Sequence, residues 1–429
     1  MAPLKVLING GGIAGQALAF WLARIDADIT IVERFPTLRA TGHQVDLRAQ
    51  GIPLMKKMGI ETAVRAAVVR EPGTQLVDLK GKTKAFFPAY QTGTEKQGAT
   101  SDFEIMRGDL VRILYDEIKD LKGVRYIFGT SMESFAQDDE SSTGGQVHVR
   151  FEDGREEDYD FVVGADGIGS HTRKLMLGPD APDPRHSLGL YQGFFTVPAR
   201  PGDSDRATAC HLPGRRILMT RRDRLDVLRV YMMIYGDDHP SLDAAYKSGD
   251  MEEHKKAWAG LFRGAGWQAD RFMYELEHCP EADDLYSSHA DQIRLPEGSW
   301  CKGRIVLLGD SAWCPTPLGG GLGATLGLVG AYVLAGEIAS RLVSDRLPPR
   351  NAVVEGAIEY EMKLRPLTAL TQDVNKKTVG SLFPETTRGI WFLQSVAGLA
   401  AFFRLDQLGG LFSEKTSQWE IPEYPELGN

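Results

Sequence analysis

Residues Gly10-Gly11-Gly12-Ile13-Ala14-Gly15 follow directly on the apolar run Leu4–Ile8 and lead into a helix-periodic pattern through Leu18, Leu22 and Ile25. The order strand, tight turn, helix is the opening of a parallel α/β domain, and it narrows the possible folds more than any other feature of the chain. Gly10 permits the turn, Gly12 lets a pyrophosphate approach the backbone, and Gly15 lets the helix pack close to the strand. The helix end, with Ile13 and Ala14 at its start, then turns unpaired N–H groups and positive charge toward phosphate. A second strand, Asp28–Val32, ends at Glu33 and Arg34, and Glu33 stands at the offset where a carboxylate accepts hydrogen bonds from a ribose hydroxyl pair. The pattern reads as a dinucleotide site and at this point leaves NAD and FAD open.

The 429 residues, 42% of them hydrophobic, suit two connected domains. A net charge of −9 without a basic block argues against nucleic acid or an anionic membrane as the main partner and favours small molecules. Cys210, Cys279, Cys301 and Cys314 have no C-x-x-C spacing, and nothing like a signal peptide precedes Leu4. Reduced thiols in the cytoplasm are expected, with neither a disulfide framework nor a metal site. The apolar stretch Ile390–Phe403, broken by Gln394 and Ser395, falls short of the roughly 20 residues needed to span a bilayer. It reads as a buried C-terminal helix or, with Leu411 and Phe412, a packing surface, and no stable membrane insertion is expected.

Gln137–Gln146 is a polar loop between strands, and Val147–Phe151 with Tyr159–Val163 reads as a hairpin around Asp153-Gly154. Phe161–Asp166 is an apolar strand running into Gly167, Gly169 and Ser170, where Ser170 can cap a helix. Arg304–Leu308 is another strand. It ends at Gly309-Asp310, followed by Pro315, Pro317 and Gly319-Gly320-Gly321-Leu322-Gly323, then a long helix through Leu328, Val333, Leu334 and Ile338. An Asp at a strand end can hold a polyol hydroxyl, prolines can stiffen a wall beside a planar ring, and glycines can bring a helix N-terminus against it. That positive helix end would stabilise negative charge on a reduced isoalloxazine. The two distant glycine stretches together imply one large dinucleotide, read as FAD.

These residues resemble the single-component FAD monooxygenases of the p-hydroxybenzoate hydroxylase type over roughly residues 1 to 375. The resemblance rests on the N-terminal glycines with Glu33, on Arg107 and Leu110 in F-E-I-M-R-G-D-L, on a D-G motif at Asp166-Gly167, and on a G-D motif at Gly309-Asp310 with Pro315 and Pro317. Gly42-His43-Gln44-Val45-Asp46-Leu47 and Gly330-Ala331-Tyr332-Val333-Leu334-Ala335 are similar to stretches of the tetracycline- and polyketide-modifying branch. Many members have His where Trp313 stands, Ala at Ser311 and Asp at Gly330, and they place Gln and Asn in the glycine loop. The resemblance implies non-covalent FAD bound by the motif residues, including Arg107, Asp166, Gly167, Asp310, Pro317, Gly321, Leu322 and Gly323. It also implies NADH or NADPH as a transient reductant, and O₂ activated as a flavin C4a-hydroperoxide that hydroxylates an aromatic or polyketide-like molecule of secondary metabolism. Epoxidation, Baeyer–Villiger insertion and a flavin oxidase or reductase are the enzymatic alternatives, and an inactive flavin-binding protein is the non-enzymatic one. The segment Gly309-Asp310-Ser311-Ala312-Trp313 also suggests a nucleophile elbow at Ser311, but Trp313 stands where close packing needs Gly. Gly81-Lys82-Thr83 lacks the earlier glycine of a phosphate loop and reads as a turn.

The expected architecture is α/β: a Rossmann-type parallel sheet for FAD, assembled from residues 1–70, 100–180 and 285–350. A mostly antiparallel sheet domain, 71–99 and 181–284, is inserted into it, and a helical region, 351–429, covers the junction. Strands Thr74–Leu79, Leu190–Val197, Ala207–Leu212, Arg216–Thr220 and Asp226–Tyr235 would form the second sheet. Residues expected near the substrate are His43, Asp46, Gln192, His211, Arg216, Tyr231 and Tyr235. Asp46 can alternatively cap a helix beginning near Leu47. The chain is expected as a monomer or homodimer.

Overall fold

Val6, Leu7 and Ile8 are wholly inaccessible to solvent because they form the centre of a six-stranded sheet. The computed structural model describes residues 3–40, 42–89, 102–138, 145–315, 321–404 and 419–428. Across the sheet the order is Cys301–Lys302, Ile305–Leu307, Phe161–Gly164, Lys5–Asn9, Asp28–Glu33 and Val124–Phe128. Every pairing is parallel except that of the short edge strand Cys301–Lys302. Burial on both faces explains why the inner strands Lys5–Asn9, Phe161–Gly164 and Ile305–Leu307 are near-continuous apolar runs in the sequence. The helix Gly323–Val343 packs along both Ile13–Leu22 and Pro349–Gln372. It is long and apolar enough to cross a membrane, but it is mostly buried, as a core helix must be.

The second sheet has seven strands in the order Tyr286–His289, Leu190–Pro198, Val227–Tyr235, Arg216–Arg221, Ala207–Leu212, Gly73–Val77 and Thr83–Pro88. Only the pairing of Ala207–Leu212 with Gly73–Val77 is parallel. Alternation along the strands divides their side chains between two faces. Tyr191, Phe195, Val197, Val230, Met232 and Ile234 pack into one core with the helices Met251–Phe262 and Ala269–His278. Gln192, Phe194, Tyr231 and Met233 occupy the opposite face, toward the parallel sheet. The three helices between residues 240 and 278 were not foreseen.

Two further expectations are corrected. The hairpin partner of Val147–Phe151 is Glu156–Tyr159, while Phe161–Gly164 belongs to the parallel sheet. Asp160 marks the switch, its Oδ2 accepting from the Lys5 N–H at 2.9 Å and its Oδ1 from Arg350 Nε at 2.9 Å. The helix Thr387–Phe402 is not buried: of its residues only Ile390 and Gln394 are, and its aromatic side chains face outward. Leu411 and Phe412 lie outside the described residues.

Candidate functional site

Gly10 has φ +119°, and a Cβ there would collide with the Ala165 carbonyl, so the first turn is closed against the strand that carries the D-G motif. The Gly10 N–H donates to Val32 O at 2.9 Å. Glu33 Oε2 accepts from the Gly11 N–H and Oε1 from the Phe35 N–H, both at 3.1 Å, which fixes the carboxylate beside the glycine turn. Each oxygen keeps a lone pair for a ribose hydroxyl. Arg34 is exposed, 5.0 Å over the Phe35 ring.

The G-D motif closes on the same turn. A Cβ at Gly309 would stand 3.0 Å from Ala14 Cβ, and one at Gly327 would stand 3.5 Å from it, so Ala14 lies between the last motif and the long helix behind it. Arg107 opens the helix Arg107–Ile118, and its N–H donates to His43 O at 3.0 Å. Its side chain passes Gly42, and its Nη2 lies 3.7 Å from where a Cβ of Gly12 would be. Arg39 is held below the ordinary arginine range by burial and by the charges of Arg107 and Arg34. Guanidinium groups crowded at a glycine turn call for an anion, and a diphosphate fits that need. Asp310 has an exposed surface, yet the packing around it raises its carboxyl pKa against the Arg107 charge.

Asp166 is the keystone of the middle motif. Its Oδ1 accepts from Ser170 Oγ at 2.5 Å, and its Oδ2 accepts from Thr172 N at 2.9 Å and Thr172 Oγ1 at 3.0 Å. Gly167, φ +80°, turns the chain beside it, and Ser170 caps the next helix by accepting from Arg173 N at 2.9 Å. Buried Arg173 donates to Ser311 O and Ile168 O at 2.8 and 2.6 Å, tying the D-G motif to the G-D motif. Ser311 is wholly buried, with Oγ accepting from Leu308 N at 3.1 Å and within 2.7 Å of Leu308 O. A hydroxyl so enclosed is no nucleophile.

Two departures from the family pattern explain one another. The Trp313 ring packs 4.5 Å from Trp300 and 5.7 Å from Tyr360. A Cβ at Gly330 would stand 2.7 Å from Trp313 Cζ2, so the large indole depends on the missing side chain. At the start of the long helix, Gly321 (φ +71°) lies against Asp46: a Cβ there would be 2.7 Å from Oδ2. Thr325 Oγ1 accepts from Arg48 N at 3.0 Å, which holds the segment after Asp46 to the helix carrying Leu322 and Gly323. Pro317 lies outside the described residues. Asp46 does not cap a helix; it ends the strand Gln44–Asp46, paired with Glu104–Met106. Burial and the neighbouring Glu104 raise its carboxyl to about 6 against Arg48, whose Nη2 is 3.1 Å away, and Oδ1 is buried with no hydrogen bond among the described residues.

The second sheet meets the His43–Asp46 segment with a wall of rings. His43 lies 4.8 Å from Phe194 and 6.3 Å from Tyr286, and Phe194 packs 4.8 Å from Tyr231. Burial and the charges of Arg107 and Arg221 lower His43 to about 4, so the imidazole is neutral at ordinary pH. Tyr231 donates to Gln44 Oε1 at 3.1 Å, and burial pushes its phenol up to about 12. Gln192 is one rung along, its Nε2 donating to Ser288 Oγ at 3.0 Å. Beyond it, Tyr235 donates to Lys376 O at 3.0 Å and stacks on Phe383. His211 is buried beside Leu382, and burial lowers its pKa. Tyr235 and His211 therefore sit under the C-terminal segment 376–383. Arg216 is on the wrong face: its Nε donates to Pro213 O at 2.8 Å, its Nη1 to Leu261 O, and it lies over Phe262 among the helices behind the sheet.

Phe194, Tyr286, Gln44 and the buried pairs of Arg221 with Glu71 and Glu104 were missed. The alternation of Leu190–Pro198 did place Phe194 beside Gln192 on one face. The ion pairs join segments 117 and 150 residues apart, and no local pattern shows them.

A dinucleotide turn, a second strand ending in Glu33, a G-D turn against Ala14 and a facing aromatic sheet define an FAD-binding oxidoreductase. The FAD binding domain family model matches residues 3–201. Over 433 residues the chain is 46% identical to the flavin-dependent monooxygenase eupH of Phoma sp, covering 100% of this chain and 99% of that one. It is 40% identical over 444 residues to the FAD-dependent monooxygenase asL4 of Sarocladium schorii, with 100% and 99% covered. The crystal structure of tetracycline destructase Tet(51) superposes with a TM-score of 0.77 at 26% identity, covering 98% and 99%. The chain belongs to the FAD-dependent monooxygenases, and FAD is its cofactor.

Proposed function

We propose that this monooxygenase takes a hydride from NADH or NADPH and places one atom of O₂ on an aromatic or polyketide-like small molecule, most simply as a hydroxyl. The balance is substrate–H, O₂, NAD(P)H and a proton giving substrate–OH, NAD(P)⁺ and water. FAD, when bound, supplies hydride acceptance and oxygen activation at C4a. Gly10, Gly12 and Arg107 would hold its pyrophosphate, Glu33 its ribose, and Asp310 its ribityl chain. The Gly321–Gly323 helix start would face the ring.

The protein's part is to bind, orient and dry the substrate. The observation that carries the reading is the His43–Phe194–Tyr286–Tyr231 wall, tied to Arg107 through the His43 carbonyl and to the Gln44–Asp46 strand through Tyr231. Flat rings and one neutral imidazole suit a planar, largely apolar molecule, and Gln192 can orient it. His43, neutral above about pH 4, can accept a hydrogen bond from a phenolic hydroxyl and so orient the ring. Tyr231, pushed up to about 12, remains a donor. A fused-ring substrate agrees with the likeness to a tetracycline destructase. The same reading divides the chain into residues 1–70, 100–180 and 285–350 for FAD, 71–99 and 181–284 for substrate, and 351–429 as a helical cover, and it places the enzyme in the cytoplasm.

The test is a screen of aromatic and polyketide compounds for acceleration of NAD(P)H oxidation, with ¹⁸O₂ tracing product oxygen. One labelled atom in the product is expected. Hydrogen peroxide matching all NAD(P)H consumed, with no labelled product from any accelerating compound, would make the enzyme an oxidase.

A further inference from the structure

The helix Thr387–Phe402 is amphipathic in the reverse of the usual sense. Toward the protein it turns Ile390, Gln394 and Gly398: Gln394 Nε2 donates to Val77 O at 3.0 Å, and a Cβ at Gly398 would stand 2.9 Å from Lys84 O. Away from it, at helical spacing, it turns Trp391, Phe392, Val396, Leu399, Phe402 and Phe403. Trp391 is 68% and Phe402 80% exposed. Rolling the helix to bury these rings would break the Gln394 bond and drive larger side chains against the Lys84 carbonyl, so the outward aromatic face is built in. Six such side chains present on the order of 600 Å² of apolar surface, above what a monomer ordinarily leaves uncovered without a partner.

The charges say which partner. From Thr387 to Arg404 there is no carboxylate, while Arg388 and Arg404 stand at the two ends of the stripe, in a chain whose net charge is −9. Glu385, just before the helix, is already paired with Arg215 at 3.1 Å, so two copies packed face to face would bring these arginines together with no carboxylate on the stripe itself to meet them. A plane of anionic headgroups satisfies both, and at physiological salt a Debye length of about 8 Å screens the acidic remainder of the chain. Aromatic side chains favour the headgroup boundary, and 16 residues make a helix about 24 Å long that lies on the surface rather than crossing it.

We propose that the outer face of Thr387–Phe402 is a docking surface for an anionic lipid bilayer, holding the enzyme peripherally in the headgroup region. The test floats the FAD-loaded full chain with phosphatidylcholine vesicles, with and without about 30 mol% phosphatidylserine. Wild type floats with the anionic vesicles, less with neutral ones, and less as salt is raised. The double variant Trp391→Ser/Phe392→Ser binds about tenfold or more weakly, while Arg388→Ala/Arg404→Ala loses the preference for phosphatidylserine. Both keep full FAD occupancy and an unchanged Tm. On binding, wild-type tryptophan emission shifts to the blue, and Trp391→Phe abolishes the shift without relying on the serine variants. Failure of wild type to float, or undiminished flotation of the aromatic variant, overturns the proposal. So does a light-scattering dimer that the aromatic variant splits in the absence of any flotation, which would assign the face to a second copy.

Discussion

A Cβ at Gly309 would stand 3.0 Å from the Cβ of Ala14, although 295 residues separate the two in the chain. That contact places the Asp310 turn beside the glycine turn, and on the proposed function FAD would be held by both. Ala14→Leu pushes the turns apart. Overpacking of this kind costs about 1–3 kcal/mol, so FAD affinity should fall by about tenfold or more. Flavin fluorescence titration of the apoprotein measures it, and unchanged affinity would show that the two turns grip FAD independently.

Arg107 reaches Gly12, Gly42 and the neighbourhood of Asp310 from one helix N-terminus. Arg107→Ala should purify largely colourless, whereas Arg107→Lys, keeping the charge without the planar fork, should hold FAD weakly. The ratio of absorbance near 450 nm to that at 280 nm reads both. Full yellow occupancy in the alanine variant would remove Arg107 from the cofactor site.

Trp313 and Gly330 form a matched pair, with 2.7 Å between Cζ2 and a Cβ placed at residue 330. Gly330→Ala alone should destabilise by about 1–3 kcal/mol through overpacking. Trp313→His together with Gly330→Ala should recover part of that loss, and denaturant melts of the full double-mutant cycle give the coupling.

Much of this was legible in the chain, for reasons that differ by region. The parallel sheet was readable because its inner strands Lys5–Asn9, Phe161–Gly164 and Ile305–Leu307 are buried apolar runs that lead into glycine turns, whereas Val124–Phe128, only partly buried at the edge, carries no such signal. The antiparallel sheet was readable because Leu190–Pro198 and Val227–Tyr235 are long and rich in β-formers. What pattern could not supply was the face each residue takes after a turn: Arg216 pairs with Ile234 and so points behind the sheet, while its neighbour Ile217, paired with Met233, takes the other face. The helix Thr387–Phe402 reads from composition as a buried helix or a packing surface, and what sets its orientation is long-range: Gln394 bonded to Val77 O and Gly398 against Lys84 O turn the aromatic side chains outward.

His43 carries a pH dependence of known sign. Burial and two nearby arginines lower its pKa from 6.5 to about 4, so between those values the unfolded chain binds a proton that the folded one refuses. Stability is therefore complete above pH 6.5 and falls as pH drops toward 4, by at most about 3 kcal/mol. His43→Gln should remove this part of the acid slope, measured as urea midpoints at pH 7 and pH 4.5. Equal slopes in the two proteins would mean that the ring is solvated.

Asp46 gives the opposite sign. Its carboxyl, raised to about 6 chiefly by burial and by Glu104, keeps its proton in the folded protein where the ordinary value of 3.8 would release it. Between those values the unfolded chain holds fewer protons, so this group makes stability fall as pH rises, and the loss is complete above about 6. On the proposed function the same titration governs flavin reduction, because Oδ2 lies against the Gly321 backbone and the positive helix end that follows would face the flavin ring. An ionised carboxylate there offsets the helix end and disfavours negative charge on the reduced ring. The rate of flavin reduction by NAD(P)H should accordingly decline as pH rises through about 6 in wild type. In Asp46→Asn it should stay near the low-pH level across that range, with FAD retained. Stopped-flow reduction from pH 5 to 8 separates the outcomes, and a wild-type decline that persists in Asp46→Asn would assign the titration to another group.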